Sequence, residues 1–227
     1  MSWAAEAGAV LVKELRSEWR TRVAVSAVGL FALSSLTLIG LALGPGSARE
    51  PGLAAALLWL VLFFTGATGL GRTFVQEEER GTALALRLSA RATTVWAGKY
   101  AANVVLLLGL TAVATPLLLA LLGVPAANGV LLFCVLGLGD LGLAAVMTMT
   151  AALVAQASAR GGLLAALSFP LLVPLLLAGV HGAKAALGQG NPQGRFGPAL
   201  GDLQVLGSYA VIAVTASLLL FDFVWNE

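Results

Sequence analysis

The sequence predicts an all-α integral membrane protein with six membrane-crossing helices. Three observations carry this. Apolar residues fill 59% of the 227 positions and charged residues only 11%, against about 25% charged in an ordinary soluble domain. Mean hydropathy is +0.94, more apolar side chain than one core of this size can hide from water. The apolar residues also gather into six runs of about 20 residues, the length that crosses a bilayer. Barrel strands would be shorter and would alternate, which these runs do not.

Ahead of the first run, Leu11, Leu15 and Trp19 recur at helical spacing, with Lys13, Glu14, Arg16, Glu18 and Arg20 on other faces. This pattern predicts an N-terminal amphipathic helix lying in the membrane interface. Charges continue to Arg22, and the run that follows is too long for the core of a secretory signal. The six spans are predicted at about Val23–Leu43, Leu53–Phe74, Ala101–Leu122, Gly129–Val154, Gly162–Val180 and Leu203–Val224. Gly44–Gly52 ("GPGSAREPG") reads as a turn by its Gly and Pro. Val124–Asn128 and Ala155–Gly161 are short connections, and His181–Asp202 is a longer one rich in Gly and Pro. Val75–Tyr100 alone is both long and well charged.

Lys and Arg set orientation, because they favour the cytoplasmic side. With the N-terminus inside, Lys13, Arg16, Arg20, Arg22, Arg72, Arg80, Arg87, Arg91, Lys99 and Arg160 fall inside, and Arg49, Lys184 and Arg195 outside. Ten against three predicts a multi-pass protein with both termini cytoplasmic.

Several motifs resolve into ordinary readings. "GLGDLG" (Gly137–Gly142) matches a dinucleotide fingerprint but lies inside an apolar span, where small residues let helices approach closely. Gly98–Lys99 lacks the P-loop surroundings, since Thr93 and Tyr100 stand where Gly and Ser/Thr are needed. The chain therefore carries no nucleotide site of its own. Cys134 is the single cysteine and excludes a Cys-based metal site. No pattern of nucleophile and base is present, and a net charge of +2 does not imply nucleic acid. Trp59, Trp96 and Trp225 read as interfacial anchors near span ends. Two residues stay open. Asp140 lies within a span, where a carboxylate is costly and faces protein or water. It is read as a structural group, satisfied by a neighbouring helix or protonated, or as part of a gate or substrate path. His181, the only histidine, is a solvated loop residue or, as a long shot, a haem ligand.

The segment "FVQEEERGTALALRLSA", Phe74–Ala90, opens a charged stretch, of which Gln76–Tyr100 reads as a short cytoplasmic helix before the third span and as a docking element, or else as a solvated loop whose basic residues set topology. Glu77, Glu78 and Glu79 suit a first helical turn, and Gly81 marks a turn. Leu84, Leu86 and Leu88 add apolar surface that a purely solvated loop does not need. Consecutive carboxylates on a helix point in different directions, which argues against a metal site there.

This segment, followed by "AGKYAANVVLLLGL", resembles the CcmB family of haem exporter permeases, themselves similar to type-2 ABC exporter permeases. "LGDLGLAAVMTMTAALVAQASARGGLLAAL" is similar to that family's fourth span, basic turn and fifth span, and "FPLLVPLLLAGV" to its Pro-Leu-x-x-Pro signature. The likeness runs in order from about Val10 to Phe223. It departs at Ala83, Leu84 and Ala90, where the family usually has Leu, Glu and Pro. The resemblance implies one permease domain over residues 1–227, not an enzyme by itself. It implies no directly bound cofactor, haem as possible cargo, and ATP bound by a separate CcmA-like ATPase. Further implied partners are a CcmC-like haem-handling protein, a small CcmD-like protein, a CcmE-like haem chaperone and a second copy of the chain. ATPase coupling then falls on Phe74, Glu77, Glu78, Glu79, Arg80, Gly81, Thr82 and Leu86. The alternatives are an exporter of a lipid, drug or polysaccharide, an intramembrane enzyme using Asp140, or a structural scaffold.

Overall fold

The computed structural model describes residues 2–44, 50–70, 74, 77, 81, 86, 88–155, 163–188 and 196–226. Among these residues there are seven α-helices and no strand. They are α1 (Trp3–Thr21), α2 (Val23–Leu43), α3 (Pro51–Gly69), α4 (Ala92–Leu122), α5 (Gly129–Ala155), α6 (Leu163–Leu187) and α7 (Leu200–Asn226), with a 3₁₀ turn at Gly197–Ala199. The six helices α2 to α7 are each long and apolar enough to cross a membrane.

Helix α5 is the hub, packing against α7, α6, α4 and α3. Its sequence explains why. Gly139, Gly142, Ala144, Ala145, Ala151 and Ala152 are all buried, and small side chains bring helix backbones close where no water-driven force exists between spans. A Cβ on Gly142 would stand 2.5 Å from Leu175 of α6, and one on Gly139 would collide with the Trp59 ring of α3. The "GLGDLG" run is thus a packing surface. Helix α2, by contrast, is peripheral and exposes Leu30, Leu33, Leu38 and Leu41.

Three span boundaries differ from the sequence reading. Helix α4 begins at Ala92 rather than near Ala101, because the Thr-, Ala- and Lys-containing stretch before the apolar run is itself helical. Its 31 residues give about 46 Å of helix, against a hydrocarbon core of about 30 Å. Helix α6 runs on to Leu187, so His181 sits on a helix and not in a loop; the Ala-rich "AKAAL" continues the turn without apolar weight. Helix α3 closes at Gly69, within a Gly-rich stretch of low helix propensity, so Phe74 is not part of that span.

The tryptophans also differ. Trp59, Trp96 and Trp225 are all buried rather than anchoring at an interface. Trp59 fits because Gly139 and Gly179 leave notches for its ring; a Cβ on Gly179 would come within 2.5 Å of it.

Helix α1 is amphipathic, as its sequence pattern predicts. Its side chains pack against the extended base of α4. Gly98 permits this contact, since a Cβ there would lie 2.5 Å from Val10 and 2.8 Å from the Ala7 carbonyl oxygen. The predicted stripe divides accordingly: Leu11 and Leu15 are half-buried and Trp19 is exposed. Arg22 alone joins α1 to α2, in the left-handed region at φ 54°. The Glu18 carboxylate accepts from the Val25 amide at 2.8 Å, which caps α2 with a negative group at its positive end.

Candidate functional site at the α1 end of the bundle

The described part of the charged segment lies at the end of the bundle where α1 meets α4. Two physical devices hold it there. The first is a buried ion cluster. Lys99 has no solvent exposure, and its ammonium donates to Glu14 Oε1 of α1 at 2.8 Å and to Glu77 Oε1 of the segment at 3.4 Å. The half-exposed Lys13 donates to the same Glu77 oxygen and lies 3.5 Å from Glu14. Among the described residues, two ammonium groups and two carboxylates thus meet across three pieces of chain. Burying charge is costly unless each group is paired and hydrogen-bonded, and this arrangement supplies both. Further polar contacts fix α1 on α4. The Trp3 indole donates to Thr93 at 3.3 Å, and the Thr94 hydroxyl reaches Glu6 at 3.5 Å.

The second device is aromatic. Phe74 is buried against Phe221 and Trp225 of α7, at centroid distances of 5.6 and 6.0 Å. Phe221 and Trp225 stack on each other at 5.4 Å, and Trp96 stacks on Tyr100 of α4 at 4.9 Å. The Lys99 ammonium also sits 5.0 Å over the Phe74 ring, a favourable cation–π placement. These rings belong to an apolar cluster separate from the main core, which takes in Ala145, Ala151 and Ala155 of α5 and Leu164 of α6. A pull on Phe74 or Glu77 therefore bears directly on α1, α4 and α7.

The sequence-selected residues distribute as follows. Phe74 and Glu77 are buried and face the bundle. Gly81 is exposed and turns the chain at φ 66°, and Leu86 is half-buried. Glu78, Glu79, Arg80 and Thr82 lie outside the described residues. Lys99 and Glu14 were passed over as partners. Their signal was present in the sequence, since a lysine entering an apolar helix demands a counter-charge, but the partner's identity needed the fold. Asp140 is fully buried on α5, with the Thr111 hydroxyl of α4 as its hydrogen-bonding neighbour. His181 is exposed near the far end of α6. Among the described residues no group of three His, Cys, Asp or Glu could hold a metal ion.

Six apolar crossings, one of them the hub α5, with a charged segment clamped at one end, define a polytopic membrane protein of permease type. Compared with known families, the chain matches the CcmB protein family over residues 5–223. It belongs to that family, and with it to the membrane proteins of transport and cytochrome c biogenesis. No curated protein matches it.

Proposed function

We propose that the chain is the permease subunit of an ATP-driven complex for haem delivery in cytochrome c maturation. It couples ATP hydrolysis by a separate CcmA-like ATPase to release of a haem-loaded, CcmE-like chaperone. CcmC-like and CcmD-like proteins and a second copy of the chain complete the assembly. The subunit sits in the bacterial inner membrane with the α1 end in the cytoplasm. It performs no chemistry itself; haem is cargo of the complex and ATP binds the partner.

The observation that carries this reading is the clamp on the charged segment. Phe74 and Glu77 are gripped by α4 and α7 through the Lys99 cluster and the aromatic stack. On the sequence pattern, contact with the ATPase falls on Glu78, Glu79, Arg80 and Thr82. Movement of a docked ATPase then reaches the bundle through Phe74 and Glu77. Spanning helices pass it on as rigid rods, because their backbone groups cannot open in lipid. Paired Glu78→Lys and Glu79→Lys substitution should abolish co-purification of the ATPase. Unchanged co-purification with unchanged ATP hydrolysis would refute the docking role.

A further inference from the structure

A half-open groove lies between α2, α3 and α4, toward the end of the bundle where α1 leads into α2. Its volume is about 300 Å³, and its walls include Val25 and Gly29 of α2, Gly66 and Gly69 of α3, and Gly109 and Val113 of α4. Thr65 is the single polar side chain among the lining residues. Val25, Val105 and Val113 stay about half exposed or more, so the groove opens sideways, where a membrane protein meets lipid. Glycine makes the hollow: a Cβ on Gly29 or Gly109 would meet no heavy atom within 4 Å.

Cationic side chains stand next to this groove. Helix α2 starts directly after Arg22, so Val25 and Gly29 lie about 5 and 10 Å along the helix from it. Arg16, Arg20 and Arg22 are all exposed, and none forms an ion pair among the described residues. The acids of α1 are engaged within the protein instead. Glu18 accepts from the Val25 amide, Glu14 accepts from Lys99, and the Thr94 hydroxyl reaches Glu6. Trp19, among the arginines and 81% exposed, is of a residue type that prefers the headgroup level. Arg22 also holds a left-handed backbone at φ 54°, where glycine would be at ease. The residue kept there puts a guanidinium where the chain enters its first span.

A ligand for this place needs a negative headgroup and an apolar tail. Guanidinium groups bind phosphate oxygens through paired hydrogen bonds, and basic pockets beside spanning helices select anionic lipids. A neutral lipid would fill the groove as well but gain less from the arginines. We propose that the α1–α2 junction binds one anionic phospholipid, its phosphate at Arg20 and Arg22 and one acyl chain in the groove between α2, α3 and α4. The site uses neither Phe74 nor Glu77 and stands apart from the ATPase-docking reading.

The test is native mass spectrometry of the full chain in mild detergent, titrated with phosphatidylglycerol or with phosphatidylcholine of the same chain length. The expected result is one phosphatidylglycerol held per chain, with phosphatidylcholine bound about tenfold more weakly or worse. Arg20→Gln and Arg22→Gln should each weaken phosphatidylglycerol about fivefold and change phosphatidylcholine less. Gly29→Leu with Gly109→Leu should fill the groove and remove binding of both lipids. Val113→Phe, at the exposed mouth, serves as a second blocking change if the double variant melts early. Equal affinity for the two lipids, phosphatidylglycerol binding that survives both blocking changes, or a shift from dimer to monomer when the groove is filled would each overturn the proposal.

Discussion

Replacing Lys99 with Met should release α1 from the bundle. The methionine keeps most of the apolar stem but removes an ammonium 2.8 Å from Glu14 and 3.4 Å from Glu77. Breaking a buried ion pair from one side costs roughly 3–5 kcal/mol, because the remaining charge stays buried. Here two carboxylates are left, at 14% and 10% side-chain exposure, while Lys13 still neighbours both. Lys13 is half-exposed and softens the loss, so the lower end applies, about 3 kcal/mol. That corresponds to about two orders of magnitude in the docking equilibrium. Arg16 and Arg20 on α1 are exposed and give trypsin a place to cut once the helix opens. Where opening is fast relative to cleavage, the cutting rate follows the open population. Limited trypsinolysis in mild detergent should therefore run about 100-fold faster in Lys99→Met than in wild type. Adding Glu14→Gln should recover part of the loss, since it removes one uncompensated charge. Lys13→Met should cost no more than about 1 kcal/mol, as an exposed pair member. Wild-type cleavage rates in Lys99→Met would refute the claim that this cluster holds α1 in place.

Other consequences follow from the packing. Gly139→Val should drive a side chain into the Trp59 ring and lower stability by about 1–3 kcal/mol, read as a reduced melting temperature in detergent. Gly98→Val should separate α1 from α4 by clashing with Val10 and the Ala7 carbonyl, and should speed tryptic cutting of α1 even with Lys99 intact. Arg22→Gly should raise the melting temperature slightly, because the left-handed backbone at φ 54° costs a non-glycine residue about 1–2 kcal/mol.

Much of the bundle was legible because lipid imposes a simple rule: a span must be long, apolar and internally hydrogen-bonded. Six spans and the Gly81 turn could be read from residue order. Boundaries slipped where helix and apolar run part company. Ala92–Tyr100 is helical without being greasy, and the helix carrying His181 continues through "AKAAL". Trp59 slipped for a different reason. Tryptophan prefers the interface on average, but two glycines on α5 and α6, 40 positions apart in sequence (139 and 179), make a slot for this ring. The ion cluster was hidden in the same way, since Glu14 and Lys99 are 85 positions apart. Asp140 could be flagged from sequence as a costly intramembrane carboxylate. That Thr111, Thr115 and Pro116 share its cavity required the pairing of α4 with α5.

The measurement that tests the central claim most directly is ATP hydrolysis by the purified complex carrying Lys99→Met. The account separates two functions along the segment: Glu78 and Glu79 present it to the ATPase, while Phe74 and Glu77, through Lys99, tie it to the bundle. The substituted complex should still retain its ATPase, yet lose the chaperone-dependent rise in hydrolysis. Full stimulation with the cluster broken would contradict the account.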